Sequence, residues 1–427
     1  MKPFFRLLGR AAAVLLPGWP ELGARWWLRR RGRYYVWPPG LRLQLNLDRA
    51  ALPELESPVR FEINRDGERG SDVPTAEKNL YRVLVAGGSP VEGLFLDQCS
   101  SWPGALQRRL ETPESLRILG ASRVHVGNIG RSGVASPALD LIFERVLPRY
   151  RRLNAIVIMV GGNDVFQWLE NGAPPSLRPR PLPASWVFSW HPEGPFGWRL
   201  SELALVELLR RLRQRVLSGV EVRDRAGKWV EKARAMRARA KTIDRMPDPT
   251  AMLNHFDDHF RKLLLKARAG ADRVLVVRQP WFEKDYSHDE RAHLWHGGVG
   301  KPWREEVTTY YSIEVVCRLM GLMDQRAARV ADELGIEQLD LMPILEPSLE
   351  TYYDFVHFTS TGAAAVAAAV AAALLRGAAS VIEQSGRRYG HDSRRGRVAG
   401  PVDEEAQDTA VQRLSSDRGN FVRTGRV

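Results

Sequence analysis

A short apolar run that stops at two glycines constrains the fold of this chain most. Residues 81–86 read YRVLVA, and Gly87, Gly88 and Ser89 follow them. An apolar run of this length bounded by glycine predicts a buried strand that ends in a tight turn. The glycines permit the turn where a Cβ would clash, so the Ser89 hydroxyl can project from the strand's carboxyl end. Ligands bind at that end of open α/β sheets, which makes Ser89 a candidate nucleophile; the alternative is an ordinary strand-to-loop turn.

Other apolar runs of strand length follow along the chain, at residues 123–127, 155–160, 273–277 and 336–339. Continuous apolar runs are typical of parallel strands that helices cover on both faces. The spacing of apolar residues also predicts helices, over residues 102–110, 137–147, 313–334 and 361–375. This alternation predicts a three-layer α/β/α fold with a doubly wound parallel sheet of the flavodoxin type.

Composition shifts predict a basic N-terminal segment, a main domain and a disordered tail, at residues 1–78, 79–384 and 385–427. Strict alternation over residues 41–48 predicts a small β element in the first part. The main domain carries an insertion at about residues 169–248, rich in Pro and Trp at first and basic afterwards. Within the insertion we expect a basic helix over residues 221–245.

The net charge of +13 on 427 residues is concentrated in two segments. Residues 1–33 hold eight Lys and Arg against one acidic residue, and residues 199–246 hold fourteen against six. The remainder is nearly neutral, which argues against a nucleic-acid-binding core and for peripheral basic surfaces facing anionic lipid or polymer. The two cysteines, Cys99 and Cys317, form neither a disulfide framework nor a zinc motif.

The sequence favours a cytoplasmic or peripheral membrane location without deciding between them. No apolar run approaches the roughly 18–20 residues of a spanning helix. The uninterrupted apolar stretch near the N-terminus, residues 11–16, is shorter than a secretory signal needs. Because Trp26, Trp27 and an arginine run follow, the N-terminal segment could lie on a membrane surface. A plain helix docked on the main domain is the alternative.

Three further motifs follow predicted strands or precede the last helix. Gly133 ends the sequence NIGRSG after the second strand, and Asn163 lies in GGND after the third. Asp354 and His357 are three residues apart in the loop before the last helix. In a turn, that spacing lets the carboxylate reach one imidazole nitrogen while the other faces outward. Taken alone, such a pair is more often structural.

The order Ser89, Gly133, Asn163, Asp354, His357 resembles the four motif blocks of the SGNH hydrolase superfamily, the GDSL-type esterases and lipases. The resemblance covers about residues 79–376, interrupted by the insertion. In one respect the chain departs from the pattern, because its first block reads GGS where the name-giving sequence has Asp before Ser. That departure leaves the subfamily and the substrate open.

The resemblance implies a role for each matching residue. Ser89 would be the nucleophile, His357 the base and then the acid, and Asp354 the group that orients the imidazole. The backbone N–H groups of Ser89 and Gly133 and the side-chain amide of Asn163 would form the oxyanion hole. It implies no metal and no cofactor.

These roles predict a serine ester hydrolase that acts through an acyl-enzyme and removes a small acyl group, such as acetyl, from a carbohydrate or similar ester. An O-acyltransferase or a lipid esterase could use the same site. From another class, an inactive scaffold could use the basic surfaces at a membrane or anionic polymer. The expected partner is a small-molecule or carbohydrate ester and not a nucleic acid, and the oligomeric state stays unknown.

Two weaker patterns have simpler explanations. His288, His293 and His296 could ligate a metal, but their spacing fits no zinc motif, so we predict an exposed polar loop. Several tryptophans in and near the insertion could stack on sugar rings or, more simply, pack as core or lid: Trp168, Trp186, Trp190 and Trp198.

Overall fold

The computed structural model describes residues 19–392, apart from a few short gaps at residues 75–77, 178–180, 195, 197, 198, 217 and 218. The chain divides into two compact units, Met1–Ala378 and Ala379–Val427. The sheet and the site described below lie in the first unit.

A five-stranded parallel sheet forms the centre of the first unit. The described residues form this sheet and two smaller ones. In chain order, the strands of all three sheets are β1 (Arg42–Leu47), β2 (Val59–Glu62), β3 (Leu80–Gly87), β4 (Arg123–Asn128), β5 (Leu153–Met159), β6 (Glu221–Ala226), β7 (Lys241–Ile243), β8 (Ala271–Val277), β9 (Thr309–Tyr311) and β10 (Glu337–Leu339). The central sheet has the order β10-β8-β5-β3-β4, and every pair in it is parallel. The predicted α/β class with a doubly wound parallel sheet is therefore confirmed.

The described residues also form helices, several of which pack against the sheet. They are α1 (Trp19–Arg31), α2 (Ser89–Glu92), α3 (Trp102–Leu110), α4 (Pro113–Leu119), α5 (Ser136–Val146), α6 (Gly162–Glu170), α7 (Ala184–Val187), α8 (Ala204–Val216), α9 (Lys228–Arg239), α10 (Thr250–Gly270), α11 (His288–Ala292), α12 (Ile313–Glu333) and α13 (Ser360–Asp392), with single 3-10 turns at Leu147–Arg149 and Leu200–Glu202. On α10 the buried residues Phe256, Phe260, Leu263 and Ala267 recur at helical spacing, so one face of the helix enters the core.

The strand order places a crevice beside β3. The chain leaves β3 for β4 on one side and then returns to β5 on the other side. Open α/β sheets bind ligands at such a reversal, outside the carboxyl ends of the strands. Gly87 at the end of β3 is in register with Met159 at the end of β5, so the segments that follow these strands lie side by side.

The basic helix predicted over residues 221–245 is wrong in part. Residues Glu221–Ala226 form β6, which pairs in parallel with β1, and only Lys228–Arg239 is helical. Between them Gly227 has a φ of +82°, a conformation that favours glycine and separates the two elements. Local composition could not show the strand, because its partner lies far away in the sequence.

The last helix is longer than the sequence predicts. It begins at Ser360 and ends at Asp392, so residues 385–392 of the predicted disordered tail are helical. The rest of that tail, residues 393–427, lies outside the described residues.

Part of this helix resembles a membrane span in length and composition. Among the described residues, Ser360–Ala378 has a mean hydropathy of 1.6, and 44% of that window is buried inside the protein. Val366, Val370 and Leu374 belong to the core of the first unit. The core helix of a globular protein satisfies the same criteria, so length and composition do not assign a span here.

Candidate active site

Ser89 lies where β3 ends, as the first residue of the single-turn helix α2. A Cβ on Gly87 would lie 2.1 Å from the carbonyl oxygen of Met159, and one on Gly88 would lie 2.4 Å from Nδ2 of Asn163. Both distances are too short for a side chain, so close backbone approach explains the glycine pair. The turn carries the half-buried Ser89 into the crevice.

Ser89, His357 and Asp354 form one chain of hydrogen bonds. Nε2 of His357 lies 2.7 Å from Oγ of Ser89. Nδ1 of the same ring lies 2.9 Å and 2.8 Å from the two carboxylate oxygens of Asp354. With a carboxylate on Nδ1, that nitrogen carries the proton and Nε2 is free to accept one from the serine hydroxyl.

The Asp354 carboxylate is buried and fully hydrogen-bonded. The backbone N–H groups of Val356 and His357 donate to its Oδ1 at 3.0 Å and 2.9 Å, and the indole of Trp295 donates to Oδ2 at 2.9 Å. Burial alone would raise the pKa of Asp354. The His357 imidazole beside it, through its charge and its hydrogen bond, and the backbone N–H of Val356 outweigh burial and hold the pKa well below its usual range. Asp354 is therefore a permanent carboxylate facing His357.

The loop that carries Asp354 and His357 has a local reason for its shape. Tyr352 pairs with Phe358 in an antiparallel bridge, and the backbone N–H of Tyr353 donates to the carbonyl of His357 at 3.0 Å. The Tyr353 ring also stacks on the imidazole of His357 at 5.5 Å. The three-residue spacing read from the sequence is thus closed into a tight turn, with the imidazole held on one side.

Asn163 and Gly133 lie beside the Ser89 turn. Nδ2 of Asn163, at the start of α6, donates to the carbonyl of Val134 at 3.0 Å. Gly133 has a φ of +74°, and its carbonyl accepts a hydrogen bond from Gln167, which is also on α6. One helix therefore holds both the amide of Asn163 and the loop that contains Gly133. The sequence-predicted residues are brought together at the crevice.

Three residues that the sequence analysis missed hold this crevice in shape. Arg69 is buried, and its guanidinium donates to the carbonyls of Glu92, Gly93 and Leu96, just after the nucleophile turn. The Glu92 carboxylate accepts hydrogen bonds from the backbone and hydroxyl of Ser132, next to Gly133. Burial raises the pKa of Glu92. The partners of Arg69 and Glu92 are brought to them by the tertiary structure, so the sequence near either residue does not identify them.

Asp164, the third such residue, joins α6 to α5. Its carboxylate accepts hydrogen bonds from the backbone N–H of Ser136 at 3.0 Å and from the Ser136 hydroxyl at 2.6 Å. Burial raises the pKa of Asp164 to about 6, against the opposing effect of the Ser136 hydrogen bonds. This contact fixes the end of the loop that contains Gly133 and Val134.

Asp164→Asn is expected to change the pH dependence of stability. Because the native pKa of Asp164 exceeds its unfolded value, the folded protein takes up a proton between about pH 4 and 6, and this contribution to stability falls as pH rises through that window. The asparagine variant does not titrate, so relative to wild type it should gain up to about 3 kcal/mol between pH 4 and 7. Urea unfolding at several pH values measures this difference. A constant difference across the window would contradict it.

The exposed polar loop predicted for His288, His293 and His296 is wrong for His296. His288 is fully exposed, and His293 pairs with Glu54 at 2.7 Å. His296 is buried, stacks on Trp295 at 3.7 Å and lies 5.7 Å from the His357 ring. Burial lowers the pKa of His296 to about 3, so the ring is neutral. Apolar neighbours from distant segments cover this histidine, which the polar local sequence does not show.

His296, Asp354 and His357 also present ligand atoms within 4.8 Å of one another, a spacing that a cation could use. However, both nitrogens of His357 and both oxygens of Asp354 already take part in the hydrogen bonds described above. A metal there would break the hydrogen bonds that join Ser89, His357 and Asp354. These residues therefore fit proton transfer better than metal binding.

Trp295→Phe is expected to lower about tenfold the rate at which a fluorophosphonate labels the Ser89 hydroxyl, since the Asp354 carboxylate would lose one charge-assisted hydrogen bond. Trp303→Phe is the matched control. Trp303 contacts Trp295 edge-on at 6.4 Å and is half-exposed. Mass spectrometry of the Ser89 adduct over time measures the labelling rate of both variants. Equal rates in Trp295→Phe and wild type would show that the indole does not support Asp354.

The crevice beside Ser89 is small. Its lining comes from the segments after β3, β4 and β5 and from two later loops: Gly88, Val134, Val160, Asn163, Phe166, Gln279 and Val356. The volume of the crevice is about 10 Å³, which leaves room for about one water molecule. The wall combines apolar side chains such as Val134 and Phe166 with the amides of Asn163 and Gln279.

The tryptophans have different environments. Trp168 and Trp190 are buried, so packing, not sugar stacking, accounts for them. Trp186 is 72% exposed on α7. Trp198 lies outside the described residues.

Comparison with known proteins gives matches among solved structures alone. No family model matches the sequence, and no curated protein matches it. LAE5, an α/β hydrolase enzyme from the metagenome of Lake Arreo, Spain, is 13% identical over 71% of this chain and 97% of its own, with a TM-score of 0.38. Axe2, an acetylxylan esterase from Geobacillus stearothermophilus, is 12% identical over 71% of this chain and 96% of its own, with a TM-score of 0.35. At these TM-scores the likeness carries no argument about activity.

Proposed function

We propose that this protein is a serine ester hydrolase of the SGNH type. The observation that supports the proposal is the continuous chain of hydrogen bonds from Oγ of Ser89 through His357 to the buried carboxylate of Asp354. An imidazole between a hydroxyl and a carboxylate is the arrangement that activates a serine nucleophile. The five residues come from segments scattered over the chain, so their meeting at one sheet edge argues for a catalytic purpose.

In the proposed reaction, Oγ of Ser89 attacks the acyl carbon of the ester while its proton passes to Nε2 of His357. The carbonyl electron pair moves onto oxygen and returns when the ester C–O bond breaks, and His357 gives its proton to the departing alcohol. Water then attacks the acyl-enzyme in the same way, which releases the carboxylic acid and restores Ser89. Asp354 stays ionised throughout and stabilises the imidazolium.

The proposed oxyanion donors are the amide of Asn163 and the backbone N–H groups of Ser89 and Gly133. The Asn163 amide has two N–H bonds, and the carbonyl of Val134 takes one of them. The other is available for the oxygen that becomes negative in the transition state. Gln167 and Asp164 hold the neighbouring loop to the same helix, which keeps these donors in place before the reaction begins.

The size of the crevice supports a small acyl group. Space for about one water molecule beside Ser89 accommodates an acetyl methyl group, whereas a long acyl chain would require the residues that line the crevice to move. We therefore propose acetyl esters as the substrate class, with a carbohydrate or another alcohol on the open side. Acetyl transfer to a sugar hydroxyl would use the same acyl-enzyme.

The test combines p-nitrophenyl esters of increasing chain length with a fluorophosphonate that labels activated serines. We expect hydrolysis of the acetate, a rate at least about tenfold lower for the octanoate, and a single covalent adduct on Ser89 by mass spectrometry. Labelling without hydrolysis would indicate acyl transfer to another acceptor. Absence of both would overturn the proposal and favour the inactive scaffold.

A further inference from the structure

Helix α1 packs on α8 through a small apolar core separate from the main one. That core consists of Ala24, Leu28 and Ala204, with partly buried residues such as Trp27 and Leu208 around it. A buried carboxylate locks the pair together. Glu21 accepts hydrogen bonds from the backbone N–H groups of Ala204 and Leu205, at 2.7 Å and 2.9 Å, and pairs with Arg25. One side of α1 is thereby fixed against the protein.

The opposite side of α1 exposes large apolar side chains. Trp19, Leu22 and Trp26 are 67%, 55% and 56% exposed. They follow each other at intervals of three and four residues, so they form one stripe along the helix. Isolated exposed apolar residues are ordinary, but two indoles and a leucine in one row form a patch that calls for a partner.

Positive charge lies at the end of the same stripe. Arg29, Arg30 and Arg31 form the last turn of α1, and the Arg30 guanidinium lies over the Trp26 ring at 5.3 Å. The ion pairs formed by the described residues include none of these three arginines. Glu21 is the single acidic residue among residues 1–33, and it faces inward. The outward side of α1 therefore carries cations and no compensating carboxylate of its own.

Next to the stripe, an arginine-lined cavity opens between α1 and α8. Its volume is about 230 Å³. Three arginines and two tryptophans are among the residues that line it: Arg31, Arg33, Arg211, Trp27 and Trp190. Arg211 is itself more than nine-tenths buried and is oriented by Glu207 at 2.7 Å. Three arginines that line one cavity, beside apolar side chains such as Leu208 and Leu212, can bind a phosphate group.

We propose that this α1 face, defined as Trp19, Leu22, Trp26, Arg29 and Arg30, binds the surface of an anionic phospholipid bilayer, with the adjacent arginine-lined cavity taking a headgroup phosphate. Tryptophan favours the membrane–water boundary, and arginine is attracted to anionic headgroups. A helix with indoles on one side and cations at its end lies in that boundary layer.

A second copy of the chain is a weaker match for this face. Interfaces between proteins deplete charged residues, whereas here a cluster of arginines adjoins the apolar stripe at the end of α1. The residues before α1 have the same composition, since Lys2, Arg6 and Arg10 are interspersed with Phe4 and Phe5. The proposal is independent of the ester hydrolase assignment.

The test is cosedimentation of the full chain with sucrose-loaded vesicles of phosphatidylcholine, alone or with about one-third phosphatidylglycerol, at about 0.1 M salt. We expect a partition coefficient at least about tenfold higher for the anionic vesicles. The Trp19→Ser/Trp26→Ser double variant should lose about tenfold of that binding. Trp186→Ser, which removes an exposed indole elsewhere, should bind as wild type does.

Two triple variants that lose the same net charge at different places test whether the position of the arginines matters. Arg29→Gln/Arg30→Gln/Arg31→Gln should weaken anionic binding by about tenfold to a hundredfold, whereas Arg109→Gln/Arg151→Gln/Arg304→Gln, three exposed arginines scattered elsewhere, should weaken it far less. Circular dichroism and hydrolysis of a soluble ester check that each variant folds.

Three outcomes would overturn the proposal: no binding to anionic vesicles, equal losses in the two arginine triples, or full binding by the double tryptophan variant. Light scattering adds a fourth. A dimer in solution that Trp19→Ser/Trp26→Ser dissociates would assign the face to a second copy of the chain.

Discussion

Ser89→Ala is expected to lower kcat for p-nitrophenyl acetate by about 10⁴–10⁶-fold, with the melting temperature little changed. The hydroxyl is the nucleophile that forms the acyl-enzyme in the proposed reaction, and its hydrogen bond to His357 is a single contact in a half-buried position. Stopped-flow and steady-state hydrolysis, together with thermal unfolding, measure the two effects. Ser100→Ala, a half-buried serine in the loop before α3, is the matched control and should keep full activity.

The same prediction extends to the pair of residues that act as a unit. His357→Ala should be about as inactive as Ser89→Ala, and the double variant should be no worse than either, because each substitution already removes the shared proton transfer. Independent losses that multiply in the double variant would contradict a common mechanism. So would a Ser89→Ala variant that retains more than about one-hundredth of the wild-type rate.

Asn163→Ala is expected to lower kcat by about 10²–10³-fold with a much smaller change in KM. The amide stabilises charge that develops only in the transition state, so its loss should spare ground-state binding. Asn163→Asp tests the chemistry more sharply, since it preserves the side-chain shape but replaces the donor with a carboxylate. We expect that variant to be at least as slow.

Asn171→Ala is the control for the second prediction. Asn171 lies just after the same helix and is exposed, and its side-chain amide donates to the carbonyl of Gln167 on that helix. Its removal should leave kcat within about twofold of wild type. If Asn163→Ala raised KM and left kcat unchanged, the amide would be a substrate-binding group and the proposed oxyanion hole would need another donor.

The strands of the central sheet could be predicted because their signal is local. β3, β5 and β8 are continuous apolar runs, and parallel strands buried on both faces require such runs. The placement of Ser89 and Asn163 follows directly, because both residues come immediately after strands that are neighbours in the sheet. The turn between Asp354 and His357 is also local, with a spacing that fixes its geometry.

The supporting residues could not be predicted, because their partners are remote in sequence. Trp295 reaches Asp354 across 59 residues, and Arg69 reaches the carbonyl of Glu92 across 23. Nothing in the neighbourhood of either residue sets it apart from other tryptophans and arginines of the chain. The failure over residues 221–226 has the same origin, since β6 exists through its pairing with β1.

Contacts between the N-terminal segment and the crevice determine which fragments of the chain could keep the site intact. The indole of Trp37 donates to the carbonyl of Gly130 at 3.0 Å, and Arg131 returns a hydrogen bond to the carbonyl of Val36 at 3.1 Å. A backbone break just before β3 would leave all five proposed catalytic residues on one fragment, yet it would also remove Arg69, Trp37 and the groups they hold. The shortest fragment that keeps the proposed site intact therefore starts well before Ser89. Recombination or proteolysis just before β3 would separate the supporting residues from the proposed catalytic residues.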